Sequence, residues 1–331
     1  TPGLSIFTVS RLNVADQSAR TIVSKRNNVG VEESYMLFYY DGGYKVQLDI
    51  EHSTNNRFSS TSSYTNNTNY IIDAIYDGSL PAANRSKIYF GESLDKTSTE
   101  SSANILNNNS PLNIGATHDT DPRPFGGYIA EVIIYTVTVN DAQRIIVNNY
   151  LSSKYNIALS ANDKYSGDAA GQDYDRNVAG VGSEASGSNP TFSASATLGL
   201  GINTLSGLNT GDYVLAGHAT ATNSLNITDI SGISGTNPAR WQRVWYVDVT
   251  NASAVIQADI EFDMVAGGMS GTTPATASNY KLLYRTGTSG AWTEKATASS
   301  ISGNRVIFAS YNFNNNADDG YYTIGTTNYT I

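Results

Sequence analysis

The sequence predicts an all-β protein built as two consecutive sandwich-like domains. Three observations lead there. Short alternating or apolar runs recur along the whole chain, separated by Gly, Asn and Asp turns. One stretch alone has helical periodicity. A polar segment rich in Gly, Ala and Asp divides the chain into two strand-rich blocks, and a length of 331 residues favours two domains. Strands that follow one another without intervening helices pack as antiparallel sheets.

Taken in order, residues 4–12 alternate apolar and polar for most of their length. Residues 35–40 form an apolar run stopped by Asp41-Gly42-Gly43, and residues 45–50 alternate strictly. Two such runs joined by Asp-Gly-Gly predict a hairpin. Further strands are expected at 70–76, 87–90, 112–114 and 128–135. The helix opens at Asn140, whose side chain can cap it, and Asp141 complements its N-terminal dipole. Ala142, Ile145, Ile146, Tyr150 and Leu151 then recur at helical spacing as far as about Lys154. Residues 158–177 have linker composition. The second block, 178–326, carries expected strands at 197–202, 213–216, 243–249, 254–263, 279–285, 304–308 and 321–324, and 327–331 reads as a tail.

Composition removes several classes of function. There are no cysteines, which excludes disulfide frameworks and thiol nucleophiles. The net charge is −9 with no basic cluster, so no nucleic-acid partner is expected. The apolar runs fall short of the ~18 residues of a membrane helix, so no membrane insertion is expected. Charged residues are only 15% of the chain, while tyrosines number 22. A polar surface built from Asn, Ser, Thr and Tyr suggests a secreted or cell-surface bacterial protein. The chain opens Thr-Pro-Gly, and both ends read as cuts through a longer polypeptide with neighbouring domains.

Phe125-Gly126-Gly127-Tyr128-Ile129-Ala130-Glu131-Val132-Ile133-Ile134-Tyr135, then Asn140-Asp141-Ala142-Gln143-Arg144 and Asn149-Tyr150-Leu151-Ser152-Ser153-Lys154-Tyr155-Asn156-Ile157, resemble the close of a laminin G-like, concanavalin A-like jelly roll. Pro111-Leu112-Asn113-Ile114-Gly115 resembles the strand before it. The resemblance implies an antiparallel jelly-roll sandwich over 1–157 with one short C-terminal helix, lacking the family's opening strand. An unpaired edge is therefore expected beside residues 4–12. The second block resembles a β-rich domain that follows such jelly rolls in large Bacteroidota surface proteins, through Gly211-Asp212-Tyr213-Val214-Leu215-Ala216 and Arg240-Trp241-Gln242-Arg243-Val244-Trp245 among others. The resemblance implies export by the type IX system and a role in adhesion, gliding or polysaccharide capture.

Candidate sites follow from residue chemistry. His52, His118 and His218 are the three histidines, and no G-x-S-x-G surrounds a serine, so no triad is expected. Asp259, Glu261 and Asp263 share a strand face, as paired acids of a glycosidase would. They lie outside the jelly roll, and the alternating Ile256, Ala258, Ile260 and Phe262 make them the wet face of a core strand. Asp49-Ile50-Glu51-His52 is a weaker analogue. No enzyme is expected. Calcium is the expected cation, at Asp119 and Asp121 in the loop before residue 127, with Asp163, Asp168, Asp173 and Asp175 as a second candidate. Tyr39, Tyr40 and Tyr44 are the expected ligand-binding residues, stacking on sugar rings, with Tyr35, Tyr64 and Tyr70 nearby in sequence. The partner is then a glycan or surface ligand. The alternatives are a carbohydrate-active enzyme on the same fold and a purely structural spacer.

Overall fold

The computed structural model describes residues 2–14, 18–27, 33–51, 55–118, 122–159, 161–169, 171, 173–192, 198–220, 223–251, 255–266, 276–314 and 317–329. The chain divides into two compact units, Thr1–Val139 with Ile157–Ala161, and Asn140–Asn156 with Asn162–Ile331.

The first unit is an antiparallel sandwich. Its strands are β1 (Gly3–Leu12), β2 (Ala19–Arg26), β3 (Glu33–Tyr40), β4 (Lys45–Glu51), β5 (Asn55–Ser63), β6 (Tyr70–Asp77), β7 (Ser86–Phe90), β8 (Ser93–Ser98), β9 (Leu112–Ile114) and β10 (Gly127–Tyr135). One sheet runs β10-β1-β6-β7-β8 and the other β5-β4-β3-β2-β9. Side chains alternate across each strand, so Leu4, Ile6, Ile72 and Ala74 of one sheet meet Leu37, Tyr39, Leu48 and Ile50 of the other.

The expected free edge beside residues 4–12 is not there. β1 pairs with β6 on one side and with β10 on the other, in a register that sets Ser5 opposite Tyr135. Gly127 makes this close approach feasible, because a Cβ at that position would lie 2.0 Å from the Arg11 carbonyl oxygen. β2, β5 and β8 were not among the expected strands. The apolar run of β3 is buried on both faces, since Met36 and Phe38 are as inaccessible as Leu37 and Tyr39. On the side away from the core, Ser34 donates to the Leu106 carbonyl (2.7 Å) and Ser24 to that of Ala116 (3.0 Å), strapping a long connection to the sheet.

The second unit is also a β-structure with its own core. One sheet contains β11 (Arg176–Glu184), Tyr213–His218, Trp245–Thr250, Gly320–Thr326 and Tyr280–Arg285. The other contains Leu200–Ser206, Ile256–Asp263 and Arg305–Phe313. Between them, Trp241, Trp245, Phe262 and Phe308 pack edge to face, with Trp245 and Phe262 centroids 5.3 Å apart. Both tryptophans are buried, and Arg243 is buried with them, about equidistant from the two rings at 6.0 and 5.9 Å.

Helix α1 (Asp141–Tyr155) forms where its caps predict. Asn140 accepts from the Gln143 N–H, and Gln143 returns the bond to the Asn140 N–H, which completes a capping box. The helix groups with the second unit. Its Ile145 packs in one cluster with Tyr165, Val178, Tyr213 and Leu215. From Asn162 onward the expected linker is folded into this unit as well. Tyr165 and Tyr174 are buried, the Tyr165 hydroxyl donates to the Tyr174 carbonyl (2.6 Å), and Ser166 donates twice to Asp248. Gly and Asp serve there to turn the chain tightly around buried tyrosines. Among the described residues no helix is long and apolar enough to cross a membrane.

This boundary is testable. Ile145→Ala should lower the stability of the second unit by about 2–5 kcal/mol. In a two-transition thermal melt, a loss confined to the first unit's transition would contradict the assignment of α1.

Candidate functional site

The hairpin of β3 and β4 turns through a short 3-10 segment, Asp41–Gly43. Positive φ falls on Tyr44 (φ 52) and on neither glycine of the Asp-Gly-Gly turn. A bulky residue in this region is an outlier, costing about 1–2 kcal/mol. The conformation is held from outside the turn. The Tyr64 N–H donates to the Tyr44 carbonyl (2.8 Å), and the Tyr44 and Tyr64 rings lie 5.8 Å apart. Tyr44 is 49% exposed and Tyr40 39% exposed. Gly42 leaves room for the Tyr40 ring, which a Cβ would meet at 2.9 Å.

Of the three expected stacking tyrosines, Tyr39 is corrected to a core residue. It is fully buried, and its hydroxyl shares a hydrogen bond with Ser10 (3.1 Å) across the two sheets. Burial raises its pKa well above the ordinary tyrosine range, with the Ser10 bond opposing. Its ring packs edge-on against Tyr64 (4.7 Å) and against Phe125 (5.9 Å). Tyr35 and Tyr64 are buried as well. The rings available at this turn are therefore Tyr40 and Tyr44.

Other connections gather at the same end of the sandwich. Asn67, at φ 65, donates its N–H to the Leu12 carbonyl (2.7 Å). The segment after β9 is tied to β2, because the Thr21 N–H donates to the Arg123 carbonyl (3.1 Å) and Arg20 to that of Pro124 (2.8 Å). β2 in turn sets Ala19 opposite Tyr40 and Arg20 opposite Tyr39. Asp119 and Asp121 themselves lie outside the described residues, as does His52. Their flanks are joined by the Thr117 N–H to the Pro122 carbonyl (2.8 Å). The part played by Phe125 and Asn67 in this rim carries no local sequence signal, since both act through contacts with distant residues.

The candidate catalytic acids have other partners. Asp49 is buried between Arg57 (2.7 Å) and Arg26 (3.3 Å). Glu261 and Asp263 pair with Arg305 at 2.7 and 3.3 Å, and Asp259 accepts from the Ser310 N–H (2.9 Å). Strand Ile256–Asp263 alternates buried and half-buried along its whole length, the pattern of a core strand with a wet face. Asp168 accepts from Ser153 (2.7 Å), and the Asp163 carboxylate accepts from the Tyr165 N–H (3.3 Å). Among the described residues no three His, Asp or Glu side chains are arranged to hold a metal ion. His218 is buried and bonded to Asn177 (2.9 Å).

Residues 4–143 match the family model of the concanavalin A-like lectin/glucanases superfamily. That match spans most of the first unit and less than half of the chain. Among solved structures, the chain is similar to a candidate carbohydrate-binding protein of Bacteroides ovatus, at 17% identity and TM-score 0.34, over 42% of this chain and 39% of that one. A Ruminococcus gnavus sialidase CBM40 bound to α2,3-sialyllactose matches at 12% identity and TM-score 0.35, over 42% and 78% of the two chains. A SAP-like pentraxin of Limulus polyphemus matches at 12% identity and TM-score 0.37, over 45% and 70%. No curated protein matches the sequence.

Two outcomes are expected. Tyr39→Ala should destabilise the concanavalin A-like domain by about 3–5 kcal/mol, whereas Tyr40→Ala should stay within about 0.5 kcal/mol of the parent. Equal losses in denaturant titrations would contradict the separation of core from rim. The second concerns Asp319, whose pKa is raised by burial and by repulsion from Asp248 and Asp318, against the Val249 N–H bond. A carboxyl with a raised folded pKa costs stability above that pKa, and the cost disappears below the unfolded value of about 3.9. Asp319→Asn keeps the acceptor for Val249 (2.8 Å). It should therefore raise the second unit's Tm at pH 7 and leave it unchanged near pH 3. A gain of the same size at both pH values would refute the electrostatic cause.

Proposed function

We propose that this chain is a non-catalytic module of a secreted or cell-surface, adhesin-like protein, and that its concanavalin A-like domain binds glycan at the rim carrying Tyr40 and Tyr44. The observation that carries the reading is the strained, exposed Tyr44. A turn containing two glycines places its left-handed residue on a tyrosine instead, and a buried Tyr64–Tyr39 pair supports that tyrosine from behind. Strain kept at an exposed aromatic is a mark of a binding position. Exposed ring faces are the surfaces on which the apolar face of a sugar packs. The match of residues 4–143 to a lectin/glucanases family model supports a carbohydrate as the ligand class. A non-catalytic role is supported by the arginine partners of Asp49, Glu261 and Asp263.

Calcium at Asp119 and Asp121 belongs to the same proposal. The support is the spacing of two carboxylates in one loop, whose flanking residues are bonded to β2 at this rim.

Stability and binding should separate at Tyr44. Tyr44→Gly relieves the backbone, so Tm should hold or rise, while affinity for a glycan selected on an array falls about two- to tenfold. Tyr40→Ala should lower affinity by a similar factor. Unchanged affinity in the double variant would refute the rim as the site. For calcium, a hundredfold excess over Kd stabilises by about 2.7 kcal/mol. Chelation should lower the first transition, and Asp119→Asn with Asp121→Asn should abolish that effect. Identical melting in calcium and in chelator would remove the cation from the account.

A further inference from the structure

We propose a second binding site, in the second unit, for a sugar that carries a single carboxylate. A cleft of about 340 Å³ is lined by Tyr150, Lys154, Asp175, Arg176 and Asn177. That volume lies at the low end of ligand pockets, ~300–1,000 Å³, and suits one sugar ring better than an extended chain. The residues come from two elements. Tyr150 and Lys154 stand four apart on α1 and so share one helix face. Asp175, Arg176 and Asn177 lie where β11 begins.

The strand is irregular at that point. Its register against Tyr213–His218 slips between Arg176 and Ala179, and Asn177 sits at φ 54. A bulge of this kind re-aims side chains out of the ladder. Behind it, the Asn177 amide nitrogen donates to His218 Nε2 (2.9 Å), and His218 Nδ1 donates to the Thr220 carbonyl (3.2 Å). The buried imidazole thereby fixes the Asn177 side chain through one of its two N–H groups and turns the amide oxygen to face a ligand. On the helix side, Lys154 donates to the Tyr150 hydroxyl (2.6 Å), and its ammonium lies 5.0 Å from the Tyr150 ring centroid.

The charge pattern selects the ligand. Two cations converge in one cleft of a chain whose net charge is −9. Arg176 offers a planar fork that matches a carboxylate, and Lys154 adds a point charge. Asp175 reduces the cleft to one net positive charge, which disfavours a dianionic phosphate and leaves an acceptor for hydroxyl groups. The half-buried ring of Tyr150 supplies an apolar surface for a sugar face. One carboxylate, several hydroxyls and a ring meet all of these features together. In the sequence, the Tyr150/Lys154 spacing was legible, but nothing local linked it to Arg176.

Titration of the full 331-residue chain with D-glucuronic acid, D-glucose, acetate and inorganic phosphate, followed by NMR, tests the proposal. Glucuronate should bind about tenfold or more tightly than each of the other three, and added salt should weaken it. Arg176→Gln, at an exposed position, should keep the parental Tm and lose binding about tenfold or more. The Tyr40→Ala/Tyr44→Gly double variant should bind glucuronate like the parent, which separates this site from the rim. Glucose binding as tightly as glucuronate would overturn the charge reading, and acetate or phosphate doing so would show an anion trap and no sugar site. Undiminished binding in Arg176→Gln would overturn the location.

Discussion

The concanavalin A-like domain depends on Tyr39. Its hydroxyl meets Ser10 of the opposite sheet, so one buried hydrogen bond ties the two layers together. Its ring is also the floor for Tyr64 and Phe125, which arrive from two separate connections. A buried polar tip on a large apolar ring must find a partner, and Ser10 satisfies it. Once Tyr39 faces inward, strand alternation turns Tyr40 to the other face and leaves the following turn to present Tyr44. The exposed aromatics are thus consequences of a buried one.

The second unit uses a comparable device with charges. Arg243 is buried beside two indoles, and Arg240 and Arg285 both reach Asp229 at 2.7 and 3.1 Å while stacking over Trp292. Burial works against the Asp229 charge, but the two guanidinium groups hold its carboxyl below the usual range. In a chain with few charged residues, aromatic rings and single acids do the work that broader ion-pair networks do elsewhere. The same economy explains how a Gly- and Asp-rich segment becomes part of a core, with Tyr165 and Tyr174 as its anchors.

Much of the fold was legible because period-two alternation and turn residues are local signals. The hairpin at Asp41-Gly42-Gly43, the wet face of Asp259, Glu261 and Asp263, and the capped helix were all read from neighbours in sequence. β5 was hidden because Asn55–Ser63 presents a single large apolar residue, Phe58, in a polar run. The allegiance of α1 was hidden because an amphipathic helix shows that it must pack but not on what. The rim was half legible. Tyr40 and Tyr44 lie on the exposed turn, but Tyr39 looks identical in sequence, and only pairing with β2 and β4 assigns its face.

We propose that the glycan of the first domain is held by turn residues at one end of the sandwich and not by a sheet face. Backbone NMR of the full chain during titration with a bound glycan tests it most directly. The largest shift changes are expected at residues 40–44, 64–67 and 123–126. Changes concentrated in the interior of β3 and β4, or in the second unit alone, would contradict it.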